Sequence, residues 1–307
     1  MSLILRFGVP ALALFLTVAA GPVYSQQPDK PQAPEPPPGE PAPLPEKVIR
    51  QTPPPPDPTI LEDGGFSIEP IYWLNRAQPA LRGGKTATEF GDLDYGGNAK
   101  PSIGAEIGIP AGHANTLRLS YFRVQGSATS TATQDSTLFS EGYDAGDFLQ
   151  SNYLIQSAKI SWDYLSYTLR KRGMNIRVKT LYEVQYTNVG TNVSAPFKAI
   201  TTDAAGDTDT NTAHGTKNLI LPTFGMGLSS SIGHHFRWEV KGSGFGLPHH
   251  GNIWDAEGLI AVRVGPIELI GGEKAYHFKT SPGGDEYFVD TLSGAYAGVR
   301  YYWGQSR

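Results

Sequence analysis

Residues 175–187 read "NIRVKTLYEVQYT". Ile176, Val178, Tyr182, Val184 and Tyr186 fall on one side of a period-two pattern, and Arg177, Lys179, Glu183, Gln185 and Thr187 fall on the other. Successive side chains of an extended strand point to opposite faces, so this pattern predicts a strand with one apolar and one charged face. "HFRWEVK" at 235–241 repeats it, with Phe236, Trp238 and Val240 against Arg237, Glu239 and Lys241. In 254–264, Trp254, Ala256, Ile260, Val262 and Val264 oppose Asp255, Glu257 and Arg263.

Extending this reading along the chain predicts an all-β protein of about ten antiparallel strands. They fall near 66–74, 101–109, 115–126, 152–169, 174–189, 217–231, 234–246, 252–264, 266–279 and 286–303. Eight or twelve strands also fit if the long connections hide or lose a hairpin. Short joins at 110–115, 171–173, 232–234 and 265–266 alternate with long polar ones at 75–100, 127–151 and 190–216. A meander with tight turns on one rim and loops on the other produces that rhythm, and an even strand number leaves both ends on the short-turn side.

The charged face identifies the interior. Alternation assigns Arg118, Lys159, Arg177, Lys179, Arg237, Lys241, Arg263 and Arg300 to it, with Glu69, Glu106, Asp163, Glu183, Glu239, Asp255, Glu257 and Glu268. Eight of each sign suit a narrow closed lumen, where an unpaired charge costs several kcal/mol. A soluble sandwich with mixed surface charge would alternate in the same way. Two features disfavour it. The apolar face carries Tyr72, Tyr121, Trp162, Tyr164, Tyr182, Tyr186, Trp238, Trp254, Tyr301 and Trp303, which suit an interfacial aromatic girdle. Strands such as 152–169 also exceed the usual globular length of five or six residues. The expected architecture is an up-and-down transmembrane β-barrel over residues 62–307.

Ahead of it, residues 1–25 form an expected signal peptide: Arg6, an apolar run from Val9 to Ala20, and small residues Val23 and Ser25 before a cleavage site at Gln26. Residues 26–61 are an expected disordered linker, since 28–58 hold 14 of the chain's 25 prolines. That stretch reaches on the order of 100 Å when extended. The chain has no cysteine, which excludes a lipobox and disulfides, and its net charge of -4 argues against nucleic acid as a partner.

The stretch "YAGVRYYW" at 296–303 resembles the carboxy-terminal assembly signal of bacterial outer-membrane β-barrel proteins. Gly298, Tyr301 and Trp303 occupy the glycine and the two final apolar positions, Tyr296 fills the polar position loosely, and "GQSR" follows the last aromatic. The resemblance implies outer-membrane localisation, recognition by the barrel-assembly machinery, and contact with membrane lipid and lipopolysaccharide. Peptidoglycan or a periplasmic protein are candidate partners of the linker.

Three constellations bear on chemistry. Asp92 and Asp94 in "GDLDYG" resemble half of an omptin protease site, but no Asp-x-His pair exists, and His249, His250 and His277 are the nearest rim histidines. His277 and Glu273 share a strand face, as a lipid-modifying rim site would require. "DTDTN" at 207–211 opens with calcium-loop spacing through Asp207, Asp209 and Asn211. Thr212 and Asn218, however, replace the required glycine and glutamate. The sequence nominates no catalytic residue, cofactor or metal ligand, and leaves a metal at 203–214 open. The expected role is a closed or narrow-lumen barrel with a structural or surface-binding function. Alternatives are a small pore for ions or solutes and, behind it, a rim-located hydrolase.

Overall fold

The computed structural model describes residues 65–77, 82–85, 93–94, 99–112, 115–132, 135–139, 141–171, 174–198, 211–233, 235–248, 251–280 and 286–303. The signal-peptide and linker expectations, together with Asp92, Asp207, Asp209, His249, His250 and the "GQSR" tail, lie outside these residues.

The strands are β1 (Phe66–Asn75), β2 (Arg82–Lys85), β3 (Leu93–Asp94), β4 (Ser102–Ala111), β5 (Asn115–Thr131), β6 (Ser136–Leu138) and β7 (Glu141–Tyr143). They continue as β8 (Phe148–Lys171), β9 (Met174–Ser194), β10 (Thr212–Ile232), β11 (Phe236–Leu247), β12 (Gly251–Val264), β13 (Ile267–Lys279) and β14 (Glu286–Trp303). Ten of them follow one another antiparallel in the order β1-β4-β5-β8-β9-β10-β11-β12-β13-β14. The ring closes where β14 returns to β1, with Phe66 opposite Trp303 and Asn75 opposite Gly294. Eight- and twelve-stranded barrels are thereby excluded: β2 and β3 extend the sheet from the upper end of β14, past the point where β1 stops, without entering the ring.

Closure pairs each barrel strand on both sides in the lower part of the ring, leaving only upper extensions such as 212–223 of β10 without a partner on the β11 side, and it turns side-chain parity into geometry, one face inside and the other outside. Along β9, Arg177, Lys179, Leu181, Glu183, Gln185 and Thr187 are buried, while Tyr182, Val184 and Tyr186 between them are exposed. The two glycine turns at Gly233 and Gly265, each with φ of 61°, lie on the short-turn rim.

The strands nearer the loop rim run longer than alternation predicts: β5 continues to Thr131, β8 begins at Phe148, β9 ends at Ser194 and β10 begins at Thr212. The reason is an inversion of polarity. On β9, Asn188, Gly190, Asn192 and Ser194 take the outer positions above Tyr186 while Val189 and Val193 are buried inside. On β5, Arg123, Gln125 and Ser127 face out above Tyr121 while Phe122 and Val124 face in. Where contrast between faces reverses, the amphipathic cue fades, although the ladder continues.

Gly298 illustrates the tightness of the seam. It faces the lumen, where an added Cβ would lie 2.9 Å from Glu69 Oε1 and 3.2 Å from the Pro70 carbonyl oxygen. Gly298→Val is expected to destabilise the barrel by about 1–3 kcal/mol through overpacking, read as a lower denaturant midpoint. Val299→Ala, on the outer face, should move it less.

Candidate functional site

The lower half of the lumen, toward the short-turn rim, holds a continuous array of ion pairs. Arg300 on β14 reaches Glu69 on β1 at 2.5 Å, Glu106 on β4 at 3.4 Å and Glu268 on β13 at 3.3 Å. Glu268 also binds Arg237 on β11 at 2.8 Å, and Arg237 pairs with Glu239 at 3.1 Å. Arg118 on β5 bonds Glu106 at 2.6 Å and Asp163 on β8 at 2.7 Å. Lys241 connects Glu106 with Glu257 at 3.5 and 3.6 Å, and Lys179 approaches Glu239 at 3.9 Å.

A second group lies beside this array. Lys159 on β8 contacts Asp255 on β12 at 2.5 Å and Glu183 on β9 at 3.4 Å. The Ser243 hydroxyl bridges those two carboxylates, with Thr223 donating to Glu183 at 3.0 Å. These pairs join strands from all around the ring, and Arg300–Glu106, Arg237–Glu268, Lys241–Glu106, Lys179–Glu239 and Lys159–Asp255 tie staves that the backbone ladder does not directly connect. Such charges carry a large desolvation cost, which only dense pairing offsets.

All sixteen side chains assigned to the lumen by alternation face the interior: Glu69, Glu106, Arg118, Lys159, Asp163, Arg177, Lys179, Glu183, Arg237, Glu239, Lys241, Asp255, Glu257, Arg263, Glu268 and Arg300. Arg263 is held at the rim, donating to the Gly265 carbonyl at 3.1 Å and lying 4.0 Å from the Tyr302 ring centroid. The sequence reading missed Lys274, which pairs with Glu257 at 3.8 Å, and the buried Asp290. Tyr296, which alternation also turns toward the lumen, is buried there and donates to Glu257 at 2.7 Å. Strand parity carried through 267–279 would have found Lys274, which shares the inward face with Glu268 and Tyr276.

The upper half differs from the polar interior expected. Trp73, Phe122, Val124, Tyr153, Ile155, Val189, Val193, Leu219, Leu221, Ile253, Tyr276, Phe278, Phe288 and Leu292 form a buried apolar cluster. Phe122 packs edge-on against both Trp73 and Tyr276, at 5.3 and 5.0 Å between centroids. The β6–β7 hairpin folds into this storey. Its Tyr143 is buried and donates to the Val193 carbonyl at 2.9 Å. Phe139, at φ 48°, packs on Phe288 at 5.8 Å and fills the space that a side chain at Gly215 would occupy. The β6–β7 hairpin, within the connection 127–151 expected as long and polar, is therefore in part an internal plug.

The remaining candidates do not assemble. Asp94 lies in β3 opposite Arg82. Glu273 and His277 share the outer face of β13 but sit about 13 Å apart along the strand. Asn218 stands on the extended β10, accepting from Tyr186 at 3.0 Å and from Asn188 at 2.6 Å, so it does not curl back toward Asn211 as a calcium loop would require. Among the described residues no cluster of three or more metal-ligating side chains occurs.

No protein-family model matches the chain, and no curated protein matches it.

The network predicts asymmetric costs. Arg118→Met leaves Glu106 and Asp163 short of a partner and should cost about 3–5 kcal/mol. The double change Arg118→Met, Asp163→Asn, which keeps Glu106 for Lys241 and Arg300, should recover part of that loss, read by equilibrium unfolding in urea.

Proposed function

We propose that this chain is an exported outer-membrane β-barrel whose lumen is closed and whose role is structural or surface-binding. The observation that carries the reading is the apolar exterior band around the charge-filled lower half of the barrel. Ile160, Trp162, Tyr164, Tyr182, Val184, Ile220, Phe224, Met226, Val240, Ile260, Val262, Leu269 and Val299 are all exposed. In water such a belt far exceeds the patch a monomer normally tolerates; in a bilayer it is the surface that lipid covers. Its height agrees. Twelve residues separate Met174 from Tyr186 on the outer face of β9, about 40 Å along the strand and about 30 Å along an axis tilted by about 40°. Above Tyr186 the outer positions turn to Asn, Gly and Ser, as they should where lipid ends.

Closure is supported by the lumen's two storeys, ion pairs below and apolar packing above, which argue against the alternative of a small pore. The terminal Tyr296, Gly298, Tyr301 and Trp303 are proposed as the signal read by the barrel-assembly machinery, with the two outermost aromatics facing lipid. Residues 26–61 are proposed as a tether toward peptidoglycan or a periplasmic protein. The role proposed is non-catalytic.

The native chain should fractionate with outer membranes, migrate differently in denaturing gels before and after boiling, and give no stable current in planar bilayers. Recovery in the soluble periplasmic extract would overturn the location, and sustained ion currents would overturn the closed lumen. Tyr301→Ala and Trp303→Ala should lower the yield of folded barrel in cells, while removal of residues 304–307 should not.

Glu273 supplies a sharper test. It is exposed on the outer face of β13, six residues above Ile267 and therefore about 15 Å up the band. In lipid that carboxyl is a cost, so Glu273→Leu should raise the unfolding free energy measured in vesicles by about 1–2 kcal/mol. No gain there would count against a lipid-facing wall.

A further inference from the structure

Near the loop rim of β12, β13 and β14 the outer wall carries a compact polar cluster directly above the apolar band. His277 stacks on Trp254, with centroids 5.5 Å apart and planes 15° from parallel. Its Nδ1 lies 2.8 Å from Thr291 Oγ1 and its Nε2 lies 3.1 Å from Asn252 Oδ1. The ring is thus fixed on one face by an indole and at both nitrogens by neighbours on adjoining strands. Lys279, two residues further along the same face, holds its ammonium 4.7 Å from the centroid of the Tyr287 ring. No ion pair to Lys279 occurs among the described residues, and Glu273 lies about 20 Å away along the strand.

Depth gives this cluster its meaning. Ten residues separate Ile267, beside the short turn, from His277, about 33 Å along the strand and about 25 Å along the axis, the height of a bilayer's apolar band. At that level the lipid-facing wall meets lipid headgroups. An ammonium with free N–H donors and an interfacial aromatic pair match an acceptor-only anion. When Nε2–H donates to Asn252 Oδ1, the Asn252 amide nitrogen keeps both hydrogens for a ligand, and Thr291 directs its own hydrogen to Nδ1.

We propose that Lys279 and Asn252, framed by His277, Trp254 and Tyr287, bind the phosphate of a lipid headgroup whose acyl chains run down the wall from Trp254 past Ala256, Ala275 and Ala295 toward Ile260. The site rests on the membrane reading above and names the lipid chemistry it selects. Lys279 provides the charge, Asn252 a directional donor, and the stacked His277 keeps Asn252 in place.

The test uses the full chain in a neutral non-ionic detergent, titrated with phosphatidic acid or with diacylglycerol of the same acyl chains and followed by native mass spectrometry. The wild type should retain phosphatidic acid and not diacylglycerol. Lys279→Ala should weaken retention about tenfold, and Lys279→Arg should preserve it. The boiling-dependent gel shift, measured on each variant, separates loss of the site from loss of the fold. A folded Lys279→Ala barrel that binds phosphatidic acid like the wild type overturns the site alone. Displacement of the lipid by equimolar inorganic phosphate overturns the assignment to a lipid. A wild-type chain that stays soluble without detergent overturns both the site and the membrane reading.

Discussion

Everything in this structure depends on the pairing of the last strand with the first. Until β14 meets β1 the sheet has two faces and two edges; afterwards it has an inside and an outside, and each residue's parity assigns it to one of them. The interior is then a small volume that ten strands must fill. Its lower half receives arginines, lysines and carboxylates whose removal from water only mutual pairing can offset. The same closure that makes the charges expensive also brings them together: Glu69 and Arg300 are 231 residues apart in sequence and bonded in space.

The two storeys of the lumen go with two different exteriors. Below Tyr121 and Tyr186 the exterior is apolar and the interior charged; above them the exterior is polar and the interior apolar. The upper part of the barrel is built like a water-soluble β-barrel, with its core inside, and the lower part is the reverse. One continuous set of hydrogen-bonded strands carries both arrangements, with no break in the ladder between β8 and β9 at the crossover. Their single register shift falls lower, between Leu165 and Tyr167, where the exterior is still apolar.

Strand order, inside-outside parity and a count of about ten were legible in the sequence because alternation is a local property, visible in a few residues such as "RWEVK" or "NIRVKTLYEVQYT"; the choice of ten over eight or twelve came from the closure of β14 on β1. The lumen charges were legible for the same reason. Three things were not. The upper extensions of β5, β8, β9 and β10 lack contrast, since Ser, Thr, Asn and Gly take the outer positions there. The partner of each charge depends on barrel stagger, which no single strand records, so Arg118 could not be matched to Asp163 in advance. The inward folding of Phe139 and Tyr143 depends on the space left by Gly215 on a distant strand, and nothing in "STLFSEGY" announces it.

That hairpin has a wider consequence. β8, β9 and β10 run to 24, 21 and 21 residues, while β11, β12 and β13 stop at 12, 14 and 13. Left alone, the taller staves would form a half-pipe with an oily inner surface open to the side. The β6–β7 segment lies in that channel as a keel. A connection of this kind ordinarily tolerates exchange of its residues, but here replacing the aromatic pair would take Tyr143 from Val193 and Phe139 from Phe288 and leave the space over Gly215 empty. This loop is therefore a load-sharing part of the hull, and its freedom to vary is that of a core strand.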